Sequence, residues 1–476
     1  MATPPPHSDE VIEIASSPEP ESPTGLSPLN SNSTPPLSVL GKRSQTHQSP
    51  SAGPPPSKRR PPPGAMRYPH GVTCMNYIAG EDPTNTLRFS DLVGPTTLQK
   101  AVLTSFVVDR QWLKAQLPAG ISLCLVEHWN PSQGECQGVA RVDAHTILVH
   151  PPMPHTNFGC FHAKLMLLYY PGFLRVVVNS ANLIPLDWDV MDNVIFCQDF
   201  PTIGASPASV QPPPAHVPEF GQTLHRFLEH CAVPTQVRSS LQQYNFSAAR
   251  TQMAHIIAQH YPPPSSGSNA DATRDLSQPR FNIEFQRGRV PYDPGYRVNH
   301  DFQLLEYFSA VYPSLETVKD SLYGPNGATS LFLNEKMYSS LEYKPCFKDC
   351  ISRRPGRLMH SKVITARSTA ATADGADPAY AWFYIGSHNL SPSAWGTVIQ
   401  PRRAQGRPLG ADGQPLPQLH IRNYELGVIQ FTDHVPSDTA LHLAQNAHWQ
   451  PPFLSPAPAY MTTDEPWMAE KHLPAT

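Results

Sequence analysis

The first 66 residues lack the side chains that build a hydrophobic core. This segment contains no Phe, Tyr or Trp, although it holds 16 of the 56 prolines together with 12 serines. A chain with so little apolar surface does not offset the conformational entropy that it would lose on folding. We therefore predict a disordered tail over residues 1–66, followed by a body that is long enough for more than one domain.

Other absences exclude whole classes of protein. No apolar run is long enough to cross a bilayer, because the longest one, Leu165 to Val178, is interrupted by Pro171, Gly172 and Arg175. No secretory signal begins the chain and its eight cysteines are mostly scattered, which favours reduced thiols over a disulfide framework. The formal net charge of −3 excludes a strongly basic nucleic-acid coat but allows a local basic cleft. We expect no membrane attachment, no metal and no other cofactor.

Two short features of the tail have the form of recognition motifs. Residues Val11–Ile14 are a β-prone patch flanked by acidic residues, which resembles a SUMO-interacting motif; a chance apolar cluster is the alternative. The basic clusters at 42–43 and 58–60 resemble a bipartite nuclear localisation signal, with a solvated charge cluster as the alternative. On the first interpretation of each, SUMO is a partner and the protein is nuclear.

The body alternates between strand-like and helix-like patterns, which favours an α/β architecture. Apolar runs such as 103–108 predict strands, and the spacing over 221–258 predicts helix. A low-complexity stretch at 262–279 predicts a linker or surface insertion. We therefore expect one domain over 67–261 and a second over 262–476, with the linker at the start of the second.

An internal repeat relates the two expected domains. Residues Ser180–Trp188 align without gaps on Ser387–Trp395, and both copies follow the pattern S-x-N-L-x-P-x-x-W. An H-x-K triplet lies upstream of each copy, at 162–164 and at 360–362. Paired elements in the same order predict two structurally similar α/β halves that meet face to face about a pseudo-twofold axis.

Each half offers an imidazole, an ammonium and a carboxamide on one surface. Residues two apart in a strand share a face, so the His and Lys of each triplet point the same way, and the S-x-N turn brings its asparagine beside them. The predicted trios are His162, Lys164 and Asn182 in the first half and His360, Lys362 and Asn389 in the second. Joined symmetrically, they suit a phosphodiester, with one imidazole as nucleophile, the other as general acid, and the remaining groups on the non-bridging oxygens.

These motifs resemble the phospholipase D superfamily and, within it, the tyrosyl-DNA phosphodiesterase branch. The superfamily pattern continues H-x-K-x-x-x-x-D, and this chain has Tyr169 and Arg367 at the two aspartate positions, as that branch does. Five further stretches are similar to that branch: Asn157–Gly159, Asp187–Trp188, Tyr312–Val318, Ile421–Val428 and Asp464–Trp467. The similarity covers roughly residues 67–470, which is nearly the whole body.

The resemblance implies a DNA-repair phosphodiesterase that removes adducts from 3′ ends, as an exonuclease-like activity. His162 would attack the phosphorus, displace the tyrosine of a trapped topoisomerase I peptide and form a phosphohistidine. His360 would protonate the tyrosine and then activate water, without a metal. The implied substrates are single- and double-stranded DNA 3′ ends that carry this peptide or other adducts, and we expect a monomer.

Further site residues follow from the same resemblance. Glu425 matches the acidic residue that orients the second histidine. The family has a glutamine eleven residues after the first asparagine, to orient the nucleophile, and this chain has the shorter Asn193 there. Phe158 matches an aromatic residue that stacks on a DNA base, with apolar packing as the alternative. Ser180 and Ser387, which begin the two S-x-N turns, are assigned to substrate binding with the two lysines.

Two other functions remain open. The first is a phospholipase D-type lipid phosphodiesterase or nuclease, against which the missing aspartates, the nuclear-like signal and the lack of a membrane element count. The second is a non-catalytic protein that binds DNA ends, against which the presence of all six core residues counts.

Overall fold

The structure is a computed structural model. It describes residues 65–94, 97–130, 137–153, 159–204, 219–249, 251–256, 259–261, 281–286, 308–339, 344–368, 380–399, 418–431 and 449–473. The two tail motifs, the 262–279 segment and Phe158 lie outside the described residues, so what is expected of them stays a prediction.

The first half is built on one mixed sheet, which has nine strands within the described residues. In chain order the strands are β1 (Val72–Asn76), β2 (Thr86–Leu87), β3 (Lys100–Ser105), β4 (Ser122–Glu127), β5 (Gly138–Arg141), β6 (Thr146–His150), β7 (Leu165–Tyr170), β8 (Phe173–Asn179) and β9 (Val194–Pro201). They lie side by side in the order β2-β1-β9-β8-β7-β3-β4-β6-β5. Strands β7 and β8 are buried along their whole length, as their near-continuous apolar sequences predict for central strands covered on both faces.

The described part of the second half contains a seven-stranded and a three-stranded sheet. Its strands are β10 (Gln252–Ile256), β11 (Gln259–Tyr261), β12 (Phe281–Gln286), β13 (Phe308–Tyr312), β14 (Phe347–Asp349), β15 (Val363–Ser368), β16 (Tyr380–Gly386), β17 (Thr397–Ile399), β18 (Gln418–Ile421) and β19 (Glu425–Phe431). The larger sheet has the order β10-β19-β16-β15-β12-β13-β14, and the smaller has the order β11-β18-β17.

The helices in the described residues are mostly short. They are α1 (Phe89–Val93), α2 (Arg110–Gln116), α3 (Glu219–His230), α4 (Thr235–Ser239), α5 (Leu315–Lys319), α6 (Glu335–Ser339), α7 (Pro392–Trp395) and α8 (Ala469–His472). The longest, α3, buries Phe220, Leu224, Phe227 and Leu228, which recur at the spacing of one helical face. None of the helices described is long and apolar enough to cross a membrane.

The two large sheets have the same topology, which confirms the predicted pair of similar α/β halves. The run β1-β9-β8-β7-β3-β4-β6 corresponds strand for strand to β10-β19-β16-β15-β12-β13-β14. In both runs the first four pairings are antiparallel and the last two are parallel. Buried side chains of both sheets, such as Val176, Val178, Phe383 and Val428, belong to one hydrophobic core.

The boundary between the halves lies earlier than the sequence predicts. Residues 252–256 form β10, which pairs with β19 in the second sheet and is the counterpart of β1. The expected boundary at 261 and the helical pattern expected up to 258 are therefore wrong in this segment. Local apolar spacing does not reveal a strand whose hydrogen-bonding partner lies far along the chain, because the partner is what makes the strand stable.

Candidate active site

Backbone hydrogen bonds tie each H-x-K triplet to the opposite half. The His162 N–H donates to the carbonyl of Tyr424 at 2.9 Å, and the Tyr424 N–H donates to the carbonyl of Cys160 at 3.0 Å. The segment around His360 pairs with Asp192 in the same way, with N–O distances of 3.0 and 2.9 Å. Both contacts are short parallel bridges. They place the two histidines at one interface between the halves.

Gly159 allows this close approach in the first half. A Cβ atom at position 159 would lie only 2.2 Å from the carbonyl oxygen of Arg422, which is backbone and has no room to move aside. The residue that precedes Cys160 therefore has to be glycine for the His162 segment to reach the second half.

The two lysines are almost fully buried beside the histidines, each with 1% of its surface exposed. Lys164 Nζ donates to the carbonyl of His162 at 2.7 Å, and Lys362 Nζ donates to the carbonyl of His360. Burial, and then the charge of Lys164, lowers the pKa of Lys362 well below its usual value. Two buried lysines whose charges act on each other favour a ligand that carries negative charge.

His162 is held by a buried carboxylate. Its Nδ1 lies 3.0 Å from Oε2 of Glu425, so Nε2 is the ring nitrogen that remains for a substrate. Burial, and then the charges of Lys164 and Lys362, keeps the pKa of His162 well below its usual value. The ring is therefore neutral near pH 7 and has an available lone pair, as a nucleophile requires.

Glu425 is in turn fixed by two side chains of its own half. Ser387 Oγ donates to Oε2, and Asn423 Nδ2 donates to Oε1 at 2.9 Å. Burial raises the pKa of Glu425, and these hydrogen bonds oppose that shift. The Oδ1 of Asn423 also accepts from the Cys160 N–H at 3.1 Å, so the same residue links the carboxylate to the nucleophile segment.

The predicted role of Glu425 beside His360 is wrong, because its carboxylate contacts His162. Glu425 follows Tyr424 directly, and the bridge between Tyr424 and the His162 segment brings the next residue against the first-half histidine. The orienting group of each half therefore serves the histidine of the other half.

His360 has a different carboxylate beside it. Its Nδ1 lies 3.1 Å from Oδ2 of Asp187, a distance typical of an ion pair, although the two groups are not aligned for a good hydrogen bond. The same oxygen accepts from the Asn182 N–H at 2.6 Å. Burial lowers the pKa of His360, and the Asp187 charge opposes that shift.

Asn193 does not orient His162, so the role that the family resemblance implied for this residue is wrong. Its Oδ1 accepts from Ser180 Oγ at 2.8 Å, and its Nδ2 donates to the carbonyl of Asp187 at 2.7 Å. These are neighbours within its own half, because Asn193 stands just before β9 and its side chain is too short to extend beyond them.

The two turn serines support other residues and do not face a substrate. Ser180 and Ser387 are 1% and 0% exposed, and their hydroxyls bond Asn193 and Glu425 respectively. Their predicted role in substrate binding is therefore wrong. Each hydroxyl has already used its single O–H donor, so neither can donate a hydrogen bond to a phosphate oxygen.

The two asparagines differ in how their carboxamides are held. Asn182 Oδ1 lies 3.4 Å from the Val107 N–H and 3.5 Å from Ser105 Oγ, so its Nδ2 is the donor that these contacts leave unused. Asn389 Oδ1 is buried and has no hydrogen-bond partner. This oxygen can only accept a hydrogen bond, so a phosphate would have to be bound by the Nδ2 donor of Asn389.

Sequence reasoning missed three residues near the histidines. Asp187 had a signal, since it is a carboxylate in the first S-x-N-L-x-P-x-x-W copy where the second copy has Ala394. The Phe106 ring lies 5.6 Å from the His162 ring and 5.3 Å from the His128 ring. Burial lowers the pKa of His128 to about 4, so this neighbour is neutral. Nothing in the local sequence around Phe106 indicates that contact.

Comparison with known proteins gives a family match over most of the body. The model of a family described as tyrosyl-DNA phosphodiesterase matches residues 73–274 and 276–465. Tyrosyl-DNA phosphodiesterase 1 of Arabidopsis thaliana is 24% identical over 415 residues, which cover 78% of this chain and 63% of that protein. The Drosophila melanogaster protein of the same name is 22% identical over 422 residues, which cover 78% of this chain and 68% of that protein. This chain thus spans about two thirds of the length of these relatives.

Solved structures show the same fold. The yeast tyrosyl-DNA phosphodiesterase superposes with a TM-score of 0.60 at 16% identity, over 84% of this chain and 100% of that chain. A mutant of the yeast protein gives a TM-score of 0.61 at 17% identity, over the same shares of the two chains.

Proposed function

This chain belongs to the tyrosyl-DNA phosphodiesterase family, and on that premise we propose that it hydrolyses the bond between a DNA 3′ phosphate and a tyrosine side chain. The observation that carries the proposal is the convergence of the two H-x-K triplets at one interface. Each histidine there contacts a carboxylate through Nδ1, which leaves Nε2 for chemistry. A pair of imidazoles with two buried ammonium groups suits in-line displacement at a phosphodiester.

The first step forms a covalent intermediate. The Nε2 lone pair of His162 attacks the phosphorus, and the bond from phosphorus to the tyrosine oxygen breaks. The charges of Asp187 and of the bound phosphate favour the protonated form of His360. His360 then gives its proton to that oxygen, so that the tyrosine leaves as a neutral phenol. Glu425 stabilises the positive charge that develops on the His162 ring when the new bond forms.

The second step releases the DNA. Neutral His360 takes a proton from water, the resulting hydroxide attacks the phosphorus, and the bond between phosphorus and His162 breaks. The products are a 3′-phosphate end and the starting enzyme, with His360 protonated again. Lys164 and Lys362 neutralise the non-bridging oxygens through both steps, which in this proposal need no metal.

The family resemblance and the tail motifs also suggest substrates, a cellular location and a partner for this protein. We propose topoisomerase I-derived peptides and other 3′ adducts on single- or double-stranded DNA as substrates, with Phe158 stacking on a base. A nuclear location is supported by the basic clusters at 42–43 and 58–60, and SUMO binding by the patch Val11–Ile14. Because both trios come from one chain, a monomer suffices for activity.

The test is hydrolysis of a 3′-phosphotyrosyl oligonucleotide by the full chain in EDTA, with phosphatidylcholine as a comparison substrate. We expect the wild-type protein to cleave the oligonucleotide and His162→Ala to bind it without cleaving it. An inactive wild-type protein, preference for the lipid, or unchanged cleavage by His162→Ala would refute the proposal. Loss of wild-type activity in EDTA would refute the metal-independent mechanism.

A further inference from the structure

We propose that His388 and Tyr384 form a buried positioning pair that holds the second S-x-N turn and, through that turn, the carboxylate that supports the nucleophile His162. The inference rests on the proposed function, because it assigns a supporting role in the first step of the same reaction. Three features of the second half support it: the contacts of the His388 ring, the space that two glycines leave for Tyr384, and the different residues at the same positions of the first half.

The second S-x-N turn carries two groups of the site. The hydroxyl of Ser387 donates to Oε2 of Glu425, and Asn389 belongs to the second trio. His388 lies between these two turn residues, and its side chain is buried, with 4% of its surface exposed. A change in the conformation of His388 would therefore move the hydroxyl that holds the carboxylate of Glu425.

The His388 ring is held by two aromatic neighbours. The Tyr384 hydroxyl forms a hydrogen bond with Nδ1, and the centroids of the two rings are 5.4 Å apart. The Trp395 ring lies 4.7 Å from the His388 ring and is tilted against it by 36°. The Nε2 atom of His388 is buried and has no hydrogen-bond partner among the described residues. Within this part of the chain, the bond to Tyr384 is therefore the hydrogen bond that orients the ring.

The direction of this bond follows from the charges around the pair. Burial, and then the charge of Glu425, raises the pKa of Tyr384 well above its usual value, so the phenol keeps its proton. Burial lowers the pKa of His388 to about 4, against the opposing charge of Glu425. The charges of His162 and His255 lower it further. His388 is therefore neutral near pH 7, its Nδ1 accepts from the Tyr384 hydroxyl, and the ring does not compete with His162 for the charge of Glu425.

Two glycines make room for the Tyr384 ring. Gly386 and Gly427 are paired across β16 and β19, on the face of the sheet that also carries Tyr384 and Glu425. A Cβ atom at Gly386 would overlap the tyrosine hydroxyl, and one at Gly427 would overlap the tyrosine ring. Glycine weakens a strand because it has no side chain to pack. Its use at both positions therefore favours a specific role for the tyrosine.

The first half has other residues at these positions. Ser180 and Val194 exchange two hydrogen bonds, N–H to carbonyl at 3.1 Å and N–H to hydroxyl at 3.0 Å. Ser387 and Leu426 exchange the same two bonds at 2.9 and 3.0 Å, so the two turns can be aligned through them. The alignment matches Tyr384, Gly386, His388 and Gly427 with Val177, Asn179, Ala181 and Ile195 respectively. The tyrosine, the imidazole and both glycines therefore occur together in the half that supports the nucleophile, and not in the other.

This difference matches the difference in chemistry between the two turns. Ser387 bonds the carboxylate that holds His162, whereas Ser180 bonds the neutral side chain of Asn193. A carboxylate that has to face His162 during attack on phosphorus needs a turn of fixed conformation behind it. Loss of the buried pair should therefore slow the attack by His162 and leave the water step at His360 unaffected.

The experiment measures the two steps separately in Tyr384→Phe and His388→Ala. Formation of the adduct from a 3′-phosphotyrosyl oligonucleotide is followed in single turnovers in the His360→Asn background, where the adduct should accumulate. Hydrolysis of the adduct is followed with His360 intact as the steady-state rate on a 3′-(4-nitrophenyl phosphate) oligonucleotide, whose good leaving group makes adduct formation fast. We expect adduct formation to slow by about 10-fold in both variants, and adduct hydrolysis not to slow.

A conservative variant should restore the first step. In His388→Asn the amide oxygen lies close to the position of Nδ1 and can still accept from the Tyr384 hydroxyl, so adduct formation should return to nearly the wild-type rate. Tyr460→Phe is the matched control, because the Tyr460 hydroxyl donates to the carbonyl of Tyr312 at 2.8 Å and not to the turn. It should leave both rates unchanged.

Three results would overturn the inference. They are wild-type adduct formation in Tyr384→Phe and His388→Ala, equal slowing of both steps, and the same loss in His388→Asn as in His388→Ala. Tyr384→Phe removes a single oxygen atom, so it keeps the test valid if His388→Ala does not fold. A wild-type protein that cleaves neither oligonucleotide would instead refute the proposed function.

Discussion

The two halves carry the same active-site turn but hold it by different bonds. In the first half, Trp188 Nε1 donates to the carbonyl of Asn182 at 2.9 Å, and Asp187 accepts from the Asn182 N–H. In the second half, the carbonyl of Asn389 accepts from the Ser391 N–H at 2.8 Å, and the Ser391 hydroxyl caps α7. The shared motif therefore fixes where the asparagine lies, while the surrounding bonds have diverged.

The histidine supports have diverged in the same way. His162 is held by a glutamate at the start of a strand of the second half, and His360 contacts an aspartate in a turn of the first half. Each half completes the site of the other, so neither is a self-sufficient catalytic unit. The two halves have therefore kept the reacting groups more strictly than the groups that orient them, since the reaction constrains the reacting groups directly.

Replacing each histidine in turn should have the largest effect on turnover and should show that the two histidines act in different steps. His162→Ala should form no covalent adduct, whereas His360→Asn should accumulate it, because water is no longer activated. Turnover should fall by about 10²–10⁴-fold or more in both. A denaturing gel with labelled 3′-phosphotyrosyl oligonucleotide shows the adduct. Adduct in His162→Ala, or none in His360→Asn, would reverse or remove the assigned roles.

Arg354→Ala should weaken the backbone bridge between Asp192 of the first half and the His360 segment of the second half. Arg354 pairs with the buried Asp192 at 2.8 Å, and the carbonyl of Asp192 binds the His360 N–H. Removing the guanidinium leaves a buried carboxylate unpaired, which typically costs about 3–5 kcal/mol of unfolding free energy. Chemical denaturation measures this loss.

The exposed neighbour gives the control for that variant. Arg353→Ala should change the unfolding free energy little, because Arg353 is exposed and its Nε bonds only the carbonyl of Pro451. Burial raises the pKa of Asp192 and Arg354 opposes this. In Arg354→Ala the Asp192 carboxyl therefore has a higher pKa in the folded state than in the unfolded state. As the pH falls and Asp192 becomes protonated, the loss of unfolding free energy in this variant should become smaller. Equal stability of the two variants would contradict the stabilising role of the ion pair between Arg354 and Asp192.

Glu425→Gln should weaken the first-half histidine alone. The amide keeps the size of the side chain but does not balance the charge that develops on His162 during attack. We expect adduct formation to slow by about 10²-fold, as for loss of an acid–base partner. Single-turnover kinetics in the His360→Asn background measure that step by itself. Exposed Glu229→Gln is the control, and equal rates in the two variants would exclude Glu425 as the support of His162.

Lys362 should take up part of a proton when an anion enters, which is the smallest expected effect. Burial and the positive charge of Lys164 lower the pKa of Lys362, and a bound phosphate-like anion offsets the effect of the Lys164 charge. Vanadate should therefore bind more tightly as pH falls. Calorimetry near pH 8 in two buffers of different ionisation enthalpy should show uptake of less than about one proton. Lys362→Met should abolish this uptake, and heats independent of the buffer in the wild type would contradict it.

Local sequence patterns predict the central strands and the reacting groups well. The apolar runs that contain Leu165–Tyr170 and Phe173–Asn179 are strands because their side chains are buried on both faces, and that requirement is visible in the composition. The pattern at 252–256 failed because a half-exposed segment takes its conformation from its neighbour β19, which is remote in sequence.

Two related halves, each with an imidazole, an ammonium and an amide at fixed spacing, can be recognised from the amino-acid sequence alone, because a repeated motif and the alternation of a strand are written along the chain. Which carboxylate holds which histidine depends instead on how the two halves pack against each other. His162 and Glu425 are 263 residues apart, and the bridge at Tyr424 sets their register across the interface between the halves. Asp187 contacts His360 and Asn193 does not, and a distance between two packed surfaces is not encoded at either residue alone.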